Sequence, residues 1–430
     1  MSITFESANQ SKTLLESYDR YSGKWEFPKE DDFWEAVKLA HTFNIQGENK
    51  TIAIVDGGFD LSIPKLKRSS KLFFSENSNT NILSHGTIVA LLILEVAPKA
   101  NLNLYDISVK NKPRLKLLHK CSNIIKTSAA DIVNLSLGGI TGNFSLNLRK
   151  FLNLKGHCKV CNAVEPIAKN KVVVAAAGNA KGKQFCPGRR SDVISIGFHG
   201  VLRGLENSET GGLMERAFAK VPSFSQSETL DFALLQPEGV LGSSFATPLI
   251  SGAISLLNNQ KDIYAYLKAA YFSSIAEAIH PTLNKNSPNE IVKKVESYYL
   301  QAFKELPHFH TFTQAENFCF GCAFFAQKLF TNGGLFIGEL GKLNESERIL
   351  SIATKLAPWS PHAAANRAAI QREITRQDMT KNVITKNTYM NIEKSIRGFE
   401  TALTLRPGFE AYKTGLRESI EVKNLLHLRL

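Results

Sequence analysis

The sequence predicts an α/β fold, a parallel sheet with helices on both faces, followed by an all-α domain. Three observations predict it. Short β-branched apolar runs recur up to about residue 260, each closed by a glycine or another turn residue. Helical segments separate these runs, as expected for parallel strands covered on both sides. After about residue 260 the strand signals fade and helical periodicity takes over.

The elements follow in order. Asp31–Phe43 reads as a helix with Phe33, Trp34, Val37 and Ala40 on one apolar face. TIAIVD (51–56) reads as a strand that runs into a Gly-Gly turn. HGTIVALLIL (85–94) reads as a buried helix, and LNLYDI (102–107) as a strand. DIVNLSLGG (131–139) is a strand ending in glycines, and VEPIAKN (164–170) is the end of a helix. VVVAAAGN (172–179) and VISIGF (193–198) are strands. ATPLISGAISLLN (246–258) reads as a buried helix with proline in its first turn.

The later part has a different texture. Pro281–Asn289 reads as a loop. Ala353, Leu356 and Pro358 are matched 49 residues later by Ala402, Leu405 and Pro407, with Ala363 and Ala411 following. Each copy reads as a helix end, a proline turn and a new helix. The pattern resembles the tetratricopeptide repeat, of period 34, with about 15 extra residues between copies. Residues 376–390 would be that insert. A generic helical domain accounts for it equally well. The expected domains are a lead-in segment at 1–45, a catalytic domain at 46–262 and a helical domain at 263–430.

Composition narrows the function. A length of 430 residues suggests two to three domains. Hydrophobic residues at 43% and charged residues at 21% exclude a mainly disordered chain. No apolar run approaches the ~18 residues of a membrane-spanning helix. The first residues lack the basic-then-apolar pattern of a signal peptide. The expected location is therefore cytoplasmic, the alternative being export into another cell without such a signal. The net charge is +13, of which residues 260–430 carry +6. The excess is spread evenly and reads as a solvated basic surface, so neither nucleic acid nor membrane is expected as a partner.

Three short segments carry chemistry. Asp56 ends a hydrophobic strand, His85 opens a helix, and Ser244 precedes another. Serine needs a base to take its proton, and histidine titrates in the right range. A buried carboxylate fixes the histidine tautomer, and an amide donor can bind an oxyanion. Asp, His, Ser is also the chain order that distinguishes the subtilisin arrangement of this triad.

On these residues the sequence resembles the subtilisin-like serine peptidases, the subtilase or S8 type. The family's D-[ST]-G stands here as Asp56-Gly57-Gly58, and H-G-T-H-V-A as His85-Gly86-Thr87-Ile88-Val89-Ala90. G-T-S-M-A-[TS]-P stands as Gly242-Ser243-Ser244-Phe245-Ala246-Thr247-Pro248. The oxyanion signature stands as Ala176-Ala177-Gly178-Asn179, and the substrate-strand motif as Ser136-Leu137-Gly138-Gly139. CPGRRSDVISIG (186–197) fits the turn and strand after the oxyanion loop. The resemblance spans about residues 30–260. Gly57, Ile88 and Phe245 depart from the family pattern, and none of the three removes a catalytic group.

The resemblance implies roles. Ser244 would attack the peptide carbonyl, His85 would act as base and then acid, and Asp56 would orient His85. Asn179 and the Ser244 N–H would form the oxyanion hole. Ser136 to Gly139 would pair with the substrate backbone, and Ala177 and Gly178 would line a side-chain pocket with room for a sizeable residue. A protein substrate is expected, with a regulatory protein on the helical domain. The alternative is a catalytically inactive subtilase-fold scaffold that binds protein. Calcium is common in the family, but no acidic cluster is assigned to it, and no cofactor is expected. Cys158-x-x-Cys161, beside His157, and Cys319-x-x-Cys322 have zinc spacing, yet are read as plain thiols, so no metal ligand is assigned. Cys186 falls near the oxyanion loop. His308, His310 and the aromatic run Phe318, Phe320, Phe324, Phe325 and Phe330 are read as structural.

Overall fold

A computed structural model describes residues 32–75, 85–109, 112–138, 158–178, 185–190, 192–196, 243–257, isolated positions in 263–283, 287–306 and 327–428. The chain divides into two compact units, Met1–Leu267 and Lys268–Leu430.

The first unit is built on one parallel sheet. Its strands are β1 (Thr51–Asp56), β2 (Ser70–Phe74), β3 (Asn101–Asp106), β6 (Ile132–Leu135), β7 (Val172–Ala176) and β8 (Ile194–Ile196). They lie in the order β2-β3-β1-β6-β7-β8, and every pairing is parallel. A short antiparallel pair, β4 (Ser108–Val109) and β5 (Lys112–Pro113), follows β3. β1 lies between β3 and β6, so Asp56 ends a strand with neighbours on both sides.

Strand side chains alternate between faces, and each face has its own helices. Ala53, Val55, Val133, Leu135, Val173 and Ala175 share a core with α4 (Leu115–Lys126) and α5 (Lys159–Ala168). The other face carries α3 (His85–Val96) and α6 (Ser243–Ser255). Both are buried around most of their circumference because sheet and neighbouring helix enclose them. α1 (Asp32–Thr42) precedes the sheet and buries Ala36, Val37 and Ala40, and α2 (Pro64–Ser69) precedes β2.

Helix boundaries differ from the sequence expectation by a few residues, at α1 and α6 among others. α1 ends at Thr42, and Phe43 beyond it is 54% exposed. α6 starts at Ser243 rather than Ala246, so Pro248 sits in its second turn. Proline has no N–H for the Ser244 carbonyl, a loss tolerable this near a helix start. The Thr247 hydroxyl steadies this turn by donating to the Ser243 carbonyl at 2.6 Å.

The second unit is helical over the residues described. Its helices include α7 (Asn289–Glu305), α8 (Gln327–Glu339), α9 (Leu343–Leu356), α10 (Pro361–Thr380), α11 (Lys386–Leu405) and α12 (Glu410–His427). The matched sequence segments fall at the α9-to-α10 and α11-to-α12 turns. Residues 376–390 are not a separate insert: α10 runs to Thr380 and α11 begins at Lys386. The extra spacing has gone into two 20-residue helices. Phe399, Ala402 and Tyr412 pack with Ala365 and Ala368 to join α10, α11 and α12.

Candidate active site

The site lies at the carboxyl end of the parallel strands, where open α/β sheets offer a crevice. Asp56 is the last residue of β1 and has no exposed surface. His85 is the first residue of α3 and is 5% exposed. The His85 Nδ1–H donates to Asp56 Oδ1 at 2.7 Å. This bond fixes the ring orientation and leaves Nε2 as the proton acceptor.

The turn after Asp56 is held from several directions. Gly57 N–H donates to Asp56 Oδ1 at 2.6 Å, so this backbone bond survives the loss of a Ser or Thr side chain there. Gly58 takes a left-handed φ of +68° and donates to Asp106 Oδ1 at 3.1 Å. Thr87 of α3 accepts from Asp60 N–H at 2.8 Å. Gly86 fits because a Cβ there would lie 2.6 Å from the Gly58 carbonyl oxygen. The glycine in the His-Gly motif therefore brings the helix start against the aspartate turn.

Burial pushes the Asp56 carboxyl above the usual carboxylate range, and the charge and hydrogen bond of His85 oppose that rise. Asp56 Oδ2 has no hydrogen-bond partner among the described residues.

Ser244 lies in the first turn of α6 and is 6% exposed. Backbone N–H groups of a first helical turn have no partner within the helix, and the dipole there favours negative charge. The next residue, Phe245, sets its ring against the His85 ring, centroids 5.2 Å apart. The fold therefore brings the Asp56–His85 pair and the Ser244 turn to one place. α6 is anchored below by a buried polar network. Ser251 donates to Asn134 Oδ1 at 2.9 Å, and Asn134 donates to Ser136 Oγ at 3.0 Å.

Gly178 N–H donates to Ser243 Oγ at 3.1 Å, which ties the end of the Ala176–Gly178 stretch to the start of α6. Asn179 and Gly139 lie outside the described residues, as do His157, His308, His310, Cys319 and Phe318 to Phe325. Ser136, Leu137, Ala177 and Gly178 are buried.

Gly138 and Gly178 both abut Phe185. A Cβ on Gly178 would lie 2.4 Å from the Phe185 ring, and one on Gly138 would lie 2.9 Å from Phe185 Cβ. Phe185 N–H donates to the Ala177 carbonyl at 2.8 Å, which holds the residue in place. Sequence reasoning missed Phe185, although it directly precedes the Cys-Pro-Gly turn.

Residues 47–204 match the model of the subtilase family. The N-terminal unit is subtilase-like. The match covers Asp56, His85, Ser136 to Gly139 and Ala177 to Asn179, and stops short of Ser244. No curated protein matches the chain. Among solved structures, the chain is similar to the prenylagaramide maturation protease PagA, at 17% identity and a TM-score of 0.40, over 54% of this chain and 88% of that one. It is also similar to a lanthipeptide protease, at 18% identity and a TM-score of 0.36, over 60% of this chain and 84% of that one. A cold-adapted subtilisin-like serine proteinase is similar at 19% identity and a TM-score of 0.35, over 50% of this chain and 76% of that one. These values are too low to carry over a substrate.

Among the described residues, one close group of three or more potential metal ligands forms, and it consists of thiols. Calcium takes oxygen ligands, so the subtilase-like unit gains no calcium site from it.

Proposed function

We propose that the chain is a serine endopeptidase acting on protein substrates. The observation that carries this reading is the buried 2.7 Å bond between His85 Nδ1 and Asp56 Oδ1, with the Ser244 turn beside the same ring. Ser244 Oγ attacks the peptide carbonyl while His85 Nε2 takes its proton. His85 then gives that proton to the leaving amine, and water repeats the sequence on the acyl-enzyme. Asp56 stays ionised and steadies the imidazolium. The Ser244 N–H and the Asn179 side chain bind the oxyanion, a contribution of about 3–4 kcal/mol for one such donor in comparable sites.

Ser136 to Gly139 form the edge to which a substrate strand adds, and Ala177 and Gly178 face its side chain. With Phe185 against both glycines, the residue before the cleaved bond is small, glycine or alanine. The second unit controls the activity by binding a regulatory protein.

The test is hydrolysis of a peptide library varied at that residue. The wild type cleaves after glycine and alanine, and Ser244→Ala abolishes cleavage. Phe185→Ala raises kcat/KM for larger residues by about tenfold or more, as a hydrophobic pocket change typically does. Equal cleavage by wild type and Ser244→Ala would refute the mechanism. An unchanged preference in Phe185→Ala would refute the pocket assignment alone.

A further inference from the structure

The Cys158-x-x-Cys161 pair gains a partner that the sequence did not reveal. Cys186, 25 residues beyond Cys161, folds over the start of α5, and the three Sγ atoms lie within 4.8 Å of one another. None of the three is in a disulfide. Cys161 and Cys186 are buried, and Cys158 is partly buried.

The surroundings favour thiolate. Cys158 is the N-cap of α5, and its sulfur accepts the Cys161 N–H at 3.4 Å. Arg190 ties the Cys186 turn to α5. It is 8% exposed, its Nη1 donates to the Cys161 carbonyl at 3.2 Å, and its other nitrogens pair with Asp192.

We infer that Cys158, Cys161 and Cys186 form a binding site for a thiophilic divalent cation of the zinc class. Tetrahedral zinc–sulfur bonds of about 2.3 Å place sulfurs about 3.8 Å apart, so the trio needs only small adjustment. Binding releases three protons from three thiols and forms three metal–sulfur bonds, with water at the fourth position. Thiolates select zinc over calcium or magnesium. The ion would pin α5 to the Phe185–Arg190 segment, and so hold Phe185 against Gly138 and Gly178. Metal binding by the trio does not depend on the peptidase reading.

The experiment is titration of reduced, full-length protein with Zn²⁺ and, separately, Co²⁺. Metal content and thiolate-to-cobalt absorption are the readouts. The inference predicts one equivalent bound through these thiols, lost in Cys158→Ser and in Cys186→Ser. The double variant Cys319→Ser/Cys322→Ser retains it. Zinc raises the melting temperature of the wild type but not of Cys186→Ser. Absence of stoichiometric metal from the wild type overturns the site, whether or not the serine variants fold. So does metal retained by Cys186→Ser, metal lost only in the Cys319/Cys322 variant, or a disulfide within the trio in place of metal.

Discussion

Asp56 would carry the cost of the proposed function at a single residue. Its burial disfavours the ionised form that the proposed reaction needs, so the carboxyl titrates above its ordinary value. The folded state then binds its proton more tightly than the unfolded state does. Stability from this residue is therefore present below the unfolded carboxyl pKa and declines as pH rises through the folded value. Asp56→Asn removes the buried charge but presents the wrong partner to His85. It is expected to lower kcat by about 10⁴-fold, as the same change does in other Ser-His-Asp enzymes. The variant should also melt higher than the wild type at pH 7, with the gap closing as pH falls toward 4. Paired thermal melts across that range check the sign. A variant less stable at pH 7 would show that the bond to His85 outweighs desolvation.

Residue identity was legible in the sequence where chemistry and chain-local geometry coincide. Asp56 ends a strand, His85 and Gly86 open a helix, and each motif encodes its own turn. Phe185 and Cys186 were not legible, because their roles depend on which distant backbone they fold against. Nothing in the local pattern at 185–187 says that Gly138 and Gly178 lie beneath the ring, or that two thiols wait at the start of α5.

At the scale of elements, the proposed catalysis depends on two helices held side by side. His85 and Phe245 meet near the starts of α3 and α6, and Val96 and Gly252 meet farther along, so the helices run parallel. A Cβ on Gly252 would lie 2.8 Å from Val96 Cβ and 3.3 Å from the Ile93 carbonyl oxygen. Gly252→Val should force the helices apart and destabilise the fold by about 1–3 kcal/mol. Replacing glycine within a helix favours the variant by less than about 1 kcal/mol, so the clash wins. The shift moves Ser244 relative to His85, so kcat should fall more than KM rises. Denaturant unfolding and steady-state kinetics on one preparation check both effects.

The element pattern itself was readable because parallel strands and their helices alternate. Boundaries were less so. α6 begins three residues before its expected start because Ser243 and Thr247 stabilise a turn upstream of the proline. In the second unit the 49-residue spacing was correctly read as two helix-turn-helix segments. Its excess over a 34-residue repeat was misplaced into a polar insert, because solvated helix faces and loops share a composition.

At the scale of the whole molecule, the chain joins a subtilase-like unit to a helical one. No helix among the described residues is long and apolar enough to cross a membrane. In the helical unit, a cleft of about 360 Å³ is lined by Ala357, Pro358, Ala364, Ala368 and Gly398 together with Lys394, Arg397 and Arg367, the last paired with Glu347. If that unit restrains the peptidase, residues 1–267 alone should hydrolyse the peptide library faster than the full chain. Equal rates, with the truncated protein folded by circular dichroism, would remove the regulatory role.

The central claim is that Ser244 is a nucleophile activated by His85. Fluorophosphonate labelling of the full-length protein, read by intact mass and peptide mapping, tests it most directly. The account predicts a single adduct on Ser244, absent from Ser244→Ala and strongly slowed in His85→Ala. An adduct that persists in Ser244→Ala, or none on either the full chain or residues 1–267, would contradict it.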